Sequence, residues 1–187
     1  ARRAGVDFIV NVVLHSHHEI AFCASGDVEA AWLAAVQYAE QMSVLRIDAP
    51  ADIVIASCGG YPKDINMYQA QKAMDAAVLA VKPGGTIILA AECEEGLGEE
   101  KFADWIDEAS CTQDIIDRFN RQFELGGHKA FAICRILQQA EILLLSALPD
   151  QQVEDMFLTQ VHSLEEALRY AFKRHGEEAR VIVMPEA

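Results

Sequence analysis

The stretch from Ala51 to Lys72 constrains the fold most, because it reads in one order: strand, glycine turn, helix. Ile53, Val54 and Ile55 make a short β-branched run, the signature of a strand covered on both faces. Gly59-Gly60 can adopt backbone angles closed to other residues, so the chain can turn where the strand ends. Pro62 cannot continue the strand, and Asp64 is a good cap for a helix opening near Ile65. Tyr68, Gln69 and Lys72 then fall at three- and four-residue spacings, which predicts that all three share one helical face. A helix start behind the carboxyl end of a strand offers free N–H groups and partial positive charge, a good setting for a carboxylate or phosphate. The plainer reading is an ordinary βα turn followed by solvated helix residues, and spacing alone leaves both open.

The pattern continues in the same style. Residues 65–81 read as the helix. Lys82-Pro83-Gly84-Gly85 is expected to stop it, with glycine as cap and proline as barrier. Residues 86–91, 141–146 and 181–184 are further apolar strands, and a strand–helix–strand unit implies a right-handed crossover in a parallel sheet. The acidic loop 92–98 should then leave its strand on the same rim as Gly59-Gly60, with Glu92 as a candidate base or orienting group; a solvated acidic loop fits equally. Glu92, Glu94 and Glu95 are conceivable divalent-ion ligands, but their spacing matches no EF-hand loop. Phe102, Trp105, Ile106, Ile115, Ile116, Phe119 and Phe123 follow helical periodicity and read as core. His128 and Lys129 open a helix after Gly126-Gly127 and form a second, weaker anion candidate beside the alternative of a plain turn. Ser163 and Glu166 form a capping box for the last helix. Residues 44–187 are thus expected to be an α/β domain, Rossmann-like and three-layered, with a mostly parallel sheet.

Residues 1–43 read differently. Residues 7–14 and 19–24 predict a hairpin, which is marginal alone and is expected to belong to a sheet begun upstream. His15, His17 and His18 lie at its tip, as a metal-binding trio or an exposed polar loop. Residues 27–42 predict a linking helix with Trp32 and Val36 on its packed face. The absence of an initiator Met fits a piece cut from a longer polypeptide. This segment is read as the end of an amino-terminal domain.

Charge narrows the partners. A net charge of −14 argues against nucleic acid and anionic membrane, and requires any anion site to be locally basic. Five scattered cysteines without a Cys-x-x-Cys pair point to reduced thiols and a cytoplasmic setting. No apolar run reaches transmembrane length.

The runs from Cys58 to Lys72 and from Lys82 to Gly98 resemble the carboxyl-terminal domain of the nickel-dependent lactate racemase family. The resemblance implies a two-domain protein that racemises or epimerises 2-hydroxy acids by hydride transfer to a nickel pincer nucleotide. The amino-terminal domain of the same polypeptide would anchor that cofactor and supply the catalytic histidines. None of those residues can be placed here, so no catalytic or metal-binding residue is assigned, and His15, His17, His18 and His128 are not given those roles. The Tyr-Gln-x-x-Lys pattern implies substrate contacts at Tyr68, Gln69 and Lys72, while Gly59, Gly60, Glu92, His128 and Lys129 remain secondary candidates. Lactate-specific members carry a tryptophan near His128; this chain does not, which leaves another hydroxy acid open. The implied role is a substrate-orienting, cleft-closing half-enzyme, inactive alone. The alternative is a non-catalytic Rossmann-like domain that binds small anions or mediates an interaction. A dehydrogenase-like domain is disfavoured by the lack of Gly-x-Gly-x-x-Gly between strand and helix.

Overall fold

The computed structural model describes residues 2–15, 17 and 19–187. Of the three histidines singled out above, His18 lies outside the described residues. The chain divides into two compact units, one ending at Asp48 and the other spanning Ala49–Ala187.

In the first unit, β1 (Ile9–Leu14) pairs antiparallel with β2 (Ile20–Gly26), and α1 (Val28–Ser43) packs on them. Asp27 caps α1, its carboxylate accepting the Glu29 and Ala30 amides. The packed face of α1 is not the expected one. Ala31 and Ala35 are buried while Trp32 is 53% exposed, because methyl side chains let the helix lie close to the hairpin. Phe22 stacks on Tyr38 at 4.8 Å to complete this small core. The opposite face of the hairpin leaves Val10, Val12, Leu14 and Ile20 exposed.

The second unit is a five-stranded, all-parallel sheet in the order β6-β5-β4-β3-β7, from β3 (Ala51–Ser57), β4 (Val81–Ala90), β5 (Glu141–Leu145), β6 (Thr159–Val161) and β7 (Val181–Met184). Alternate residues of each strand face opposite sides. Val54, Ala56, Ile87, Leu89, Ile142 and Leu144 join the larger core under α2 (Met67–Ala80), α3 (Glu100–Asp107), α4 (Thr112–Arg121) and α5 (Gly127–Leu137). Ile53, Ile88 and Leu143 face Ala167 and Ala171 of α7 (Leu164–His175). This is the expected three-layer α/β arrangement. Each fully buried Ile or Leu contributes about 2 kcal/mol through loss of hydrated apolar surface.

Several local expectations change. The helix after β3 begins two residues later than expected and is capped by Asn66, whose side chain accepts the Gln69 amide at 3.0 Å. Asp64 instead turns its carboxylate to the Glu92 amide and its carbonyl to Cys93. The end of α2 has no glycine cap. Val81 is already extended and the chain runs directly into β4, where Gly84 donates to the Gln139 carbonyl at 2.7 Å. Only half of the capping box expected for the last helix forms: Ser163 Oγ accepts the Glu166 amide, but the Glu166 carboxylate accepts the His162 amide rather than that of Ser163. Two elements were not expected, the six-residue α6 (Asp150–Asp155) and strand β6. No helix among the described residues is long and apolar enough to cross a membrane.

Candidate functional site

The strand order reverses at β3, which has β4 on one side and β7 on the other. In open parallel sheets ligands bind outside the carboxyl ends of strands at such a reversal. Ser57 and Met184 end the two strands that flank it. A cavity of about 170 Å3 lies there, lined by Cys58, Lys63, Gln69, Lys72, Ala73 and Ala187.

The glycine turn supplies the geometry. Gly59 and Gly60 have φ of +83° and +77°, so only residues without a Cβ turn here without strain. The turn brings exposed Lys63 over the cavity, where Glu186 accompanies it at 3.6 Å. Gln69 and Lys72 enter from α2, and the Lys72 ammonium donates to Gln69 Oε1 at 2.5 Å. Because the acceptor is an amide, Lys72 is oriented but not neutralised. Among the described residues no carboxylate pairs with it.

The expected anion seat on the helix start is not available, and this corrects the sequence reading. The Met67 and Tyr68 amides donate to the Gly96 and Leu97 carbonyls at 3.0 and 3.1 Å, and Asn66 takes the Gln69 amide. The acidic loop therefore closes the end of α2. Gly98 permits this, since a Cβ there would fall 2.1 Å from the Asn66 side chain. Positive character at this rim comes from side chains, not from backbone donors.

Helical spacing puts Tyr68 beside Gln69 and Lys72, but Tyr68 does not line the cavity those two enter. Its ring lies edge-on to Phe102 at 6.4 Å and to His128 at 6.1 Å, with the Lys129 ammonium 5.5 Å from its centroid. Gly127 lets α5 approach this closely, because a Cβ there would strike buried Trp105 at 2.2 Å. His128 Nδ1 accepts the Gly126 amide at 3.1 Å, which leaves Nε2 to carry the proton of the neutral ring. Lys129 donates to the fully buried Gln71 at 2.6 Å, and Gln71 in turn donates to Asp75 at 2.8 Å. Burial holds the Lys129 amine below its ordinary range; the Asp75 charge opposes that shift, and the smaller repulsion from Lys72 adds to it. Gln71 is the member of this group that the sequence reading missed; its i+3 spacing from Tyr68 was the available signal.

Glu92 leaves β4 on the same rim as Gly59-Gly60, as parallel strands require, and is exposed. No partner for its carboxylate occurs among the described residues, and it does not line the cavity. His15 meets Glu19 at 3.2 Å, so a carboxylate stands at the hairpin tip. Among the described residues no group of three His, Cys, Asp or Glu side chains could hold a metal ion. Cys58, Cys93 and Cys134 are buried, and burial pushes their thiols up to about 11, 12 and 12, which makes them poor nucleophiles.

Comparison with known proteins gives the family of the chain. A family profile described as the lactate racemase C-terminal domain matches residues 47–187. The chain is 36% identical over 191 residues to a lactate racemase of Thermoanaerobacterium thermosaccharolyticum and 34% identical over 192 residues to one of Lactiplantibacillus plantarum. Each alignment covers 100% of this chain and 45% of the relative, so the chain spans less than half the length of these proteins. The structure of the T. thermosaccharolyticum lactate racemase apoprotein superposes with a TM-score of 0.90 at 34% identity, over 99% of this chain and 45% of that one. A Thermotoga maritima protein at 16% identity shares the fold alone, with a TM-score of 0.63 over 95% of this chain and 47% of that one.

Proposed function

The chain belongs to the lactate racemase C-terminal domain family, and from that membership we propose that it is the substrate-orienting, cleft-closing part of a 2-hydroxy-acid racemase or epimerase that works with a nickel pincer nucleotide. In this reading the rest of the machinery lies on an upstream domain of the same polypeptide. The uncovered apolar face of Val10, Val12, Leu14 and Ile20 supports that placement, since such a face in a small hairpin calls for a further layer.

One observation carries the reading. In a chain of net charge −14, Lys72 keeps an un-neutralised ammonium at the sheet's reversal point, beside a cavity and steered by Gln69. A substrate carboxylate meets that ammonium in a charge-assisted bond. Gln69 spends its oxygen on Lys72 and so turns its NH2 group outward, where it donates to a second substrate oxygen. Tyr68 is held by Phe102 and His128 and offers its hydroxyl from a fixed ring. Gln69 and Lys72 together fix which face of the hydroxyl-bearing carbon is presented.

The described residues provide no donor set for nickel. In this reading the chain's described residues bind and orient the substrate. Five unpaired thiols support a reducing, cytoplasmic setting.

The test is expression of the full-length gene with the cofactor-making enzymes, followed by a screen of 2-hydroxy acids in D2O for α-hydrogen exchange and loss of optical activity. Exchange with at least one acid is expected, and none from the isolated chain. Binding without exchange by the full-length protein would overturn the enzymatic reading in favour of a small-anion-binding domain.

A further inference from the structure

Residues 185–187 return to the cavity that Lys72 lines. Past β7 the Ala187 amide donates to the Ser57 carbonyl at 2.9 Å, which pins this segment against the end of β3 and makes Ala187 part of the cavity wall. Lys63 reaches the same place from the glycine turn. Its amide donates to the Gly60 carbonyl at 2.9 Å, and its side chain folds back over Gly59. A Cβ at Gly59 would fall 3.3 Å from both the Lys63 Nζ and the Glu186 Cγ, so the bare glycine is the floor on which the two side chains meet. Their charged groups stand 3.6 Å apart, and the side chains are 58% and 73% exposed. An ion pair between groups so well hydrated is held weakly. Lys63, Gln69 and Lys72 all line this one cavity. The chain therefore sets a carboxylate of its own on one ammonium of the cavity and leaves the other with an amide. A carboxylate ligand in the cavity offers Lys63 the same chemistry as Glu186, with the attraction of Lys72 added.

We propose that Glu186 is an internal stand-in for the ligand carboxylate: it holds Lys63 until an acid enters, then yields it, so that Lys63 and Lys72 close together on one carboxylate. The handover rests on the geometry of the glycine turn and of residues 185–187; that the incoming acid is a 2-hydroxy acid rests on the function proposed above. No covalent bond is made or broken, and one ion pair replaces another. The arrangement favours anions, because a neutral ligand gives Lys63 nothing in exchange for Glu186.

The experiment is calorimetric titration of the full-length protein with lactate, glycolate and malate. It is run at about 0.15 M salt, where exposed charges more than ~8 Å apart are largely screened. Glu186→Gln should tighten binding of the acids about threefold, the size of one exposed ion pair. Lys63→Met should weaken it about tenfold, the size of one charge-assisted contact, and Lys63→Arg should restore most of that loss. In the Lys63→Met background, adding Glu186→Gln should change nothing further. A gain from Glu186→Gln that survives without Lys63 would mean that Glu186 only adds to the negative field of the chain, and would overturn the handover. So would unchanged or weaker binding by Glu186→Gln, or no binding of any of the three acids by wild type. The D2O assay on the same samples keeps the two readings apart. Lys63-dependent tightening without α-hydrogen exchange upholds the stand-in and sinks the racemase reading; exchange with no effect of Glu186→Gln does the opposite.

Discussion

At the amino ends of the strands Asp52 takes the Lys82 ammonium at 2.7 Å and the Arg180 amide at 2.9 Å, whereas at the carboxyl ends Lys72 donates to the Gln69 amide and Lys129 to the Gln71 amide. The contrast extends beyond these pairs. On the amino rim Thr86 meets His175 at 2.8 Å, and Glu141 gathers the Tyr170 hydroxyl at 2.7 Å and Arg174 at 3.6 Å. His175, Tyr170 and Arg174 all belong to α7, while Thr86 and Glu141 belong to β4 and β5, so the network ties α7 to the sheet. On the carboxyl rim Lys72 leans on a residue of its own helix. Ionic partners cancel charge and fasten the fold; amide partners aim a charge and leave it to act on something else. Apart from the exposed Lys63–Glu186 pair at 3.6 Å on the carboxyl rim, the two rims divide stability from recognition, and mutations should sort accordingly.

The largest effect expected is at Lys72. In the full-length protein Lys72→Ala should lower α-hydrogen exchange by roughly 100-fold or more, because substrate anchoring and orientation are lost together. Its melting temperature should stay within a degree or so of wild type, since the side chain is exposed and bridges no second element. A large fall in stability would erase the distinction between the rims.

The amino rim should show the reverse. Thr86 is fully buried, and Thr86→Val keeps its shape while removing the bond to His175. Leaving that ring nitrogen unpaired should cost about 1–2 kcal/mol. Trp105 is buried in the α/β unit, so urea titration in a Trp32→Phe background follows this unit through one fluorophore. Exchange activity at saturating substrate should be unchanged. Lost activity with intact stability would show that the amino rim also serves the site.

Which features were legible in sequence follows from how local their causes are. The apolar runs at Ile53, Ile87, Ile142 and Val181 located four of the five parallel strands, because a strand buried on both faces advertises itself by composition alone. Strand β6 has three residues and a single buried one, Val161, which is too little for any pattern to register. Placing Glu92 on the rim of Gly59-Gly60 needed only that neighbouring strands run parallel. The cap of α2 could not be read the same way. Its first amides are taken by Gly96 and Leu97, far along the sequence, and Asp64 is drawn off by the same loop. Tyr68 illustrates the limit of helical spacing: it places a residue beside Gln69 and Lys72 on the cylinder but is silent on Phe102 and His128, which decide where the ring settles.

The finest probe of the contrast is the pH dependence of Asp52. The hydrogen bond from Lys82, followed by that from the Arg180 amide, holds its carboxyl below the ordinary value of 3.8. A lowered carboxylate pKa binds protons more weakly in the folded state than in the unfolded one. Its stabilising contribution is therefore complete above the unfolded value and is lost as pH falls through the folded one. Both side chains are partly exposed, at 26% for Asp52 and 47% for Lys82, so solvent screening keeps the contribution below about 1 kcal/mol. In Asp52→Asn the amide oxygen still accepts from Arg180 but carries no charge for Lys82. Urea midpoints of wild type and Asp52→Asn should differ by a constant small amount from pH 5 to 7 and converge below pH 3.8, with Trp105 as reporter. A gap that persists in acid would mean that the Lys82 contact is held by shape and not by charge, and the amino rim would then resemble the carboxyl rim more than its ion pairs suggest.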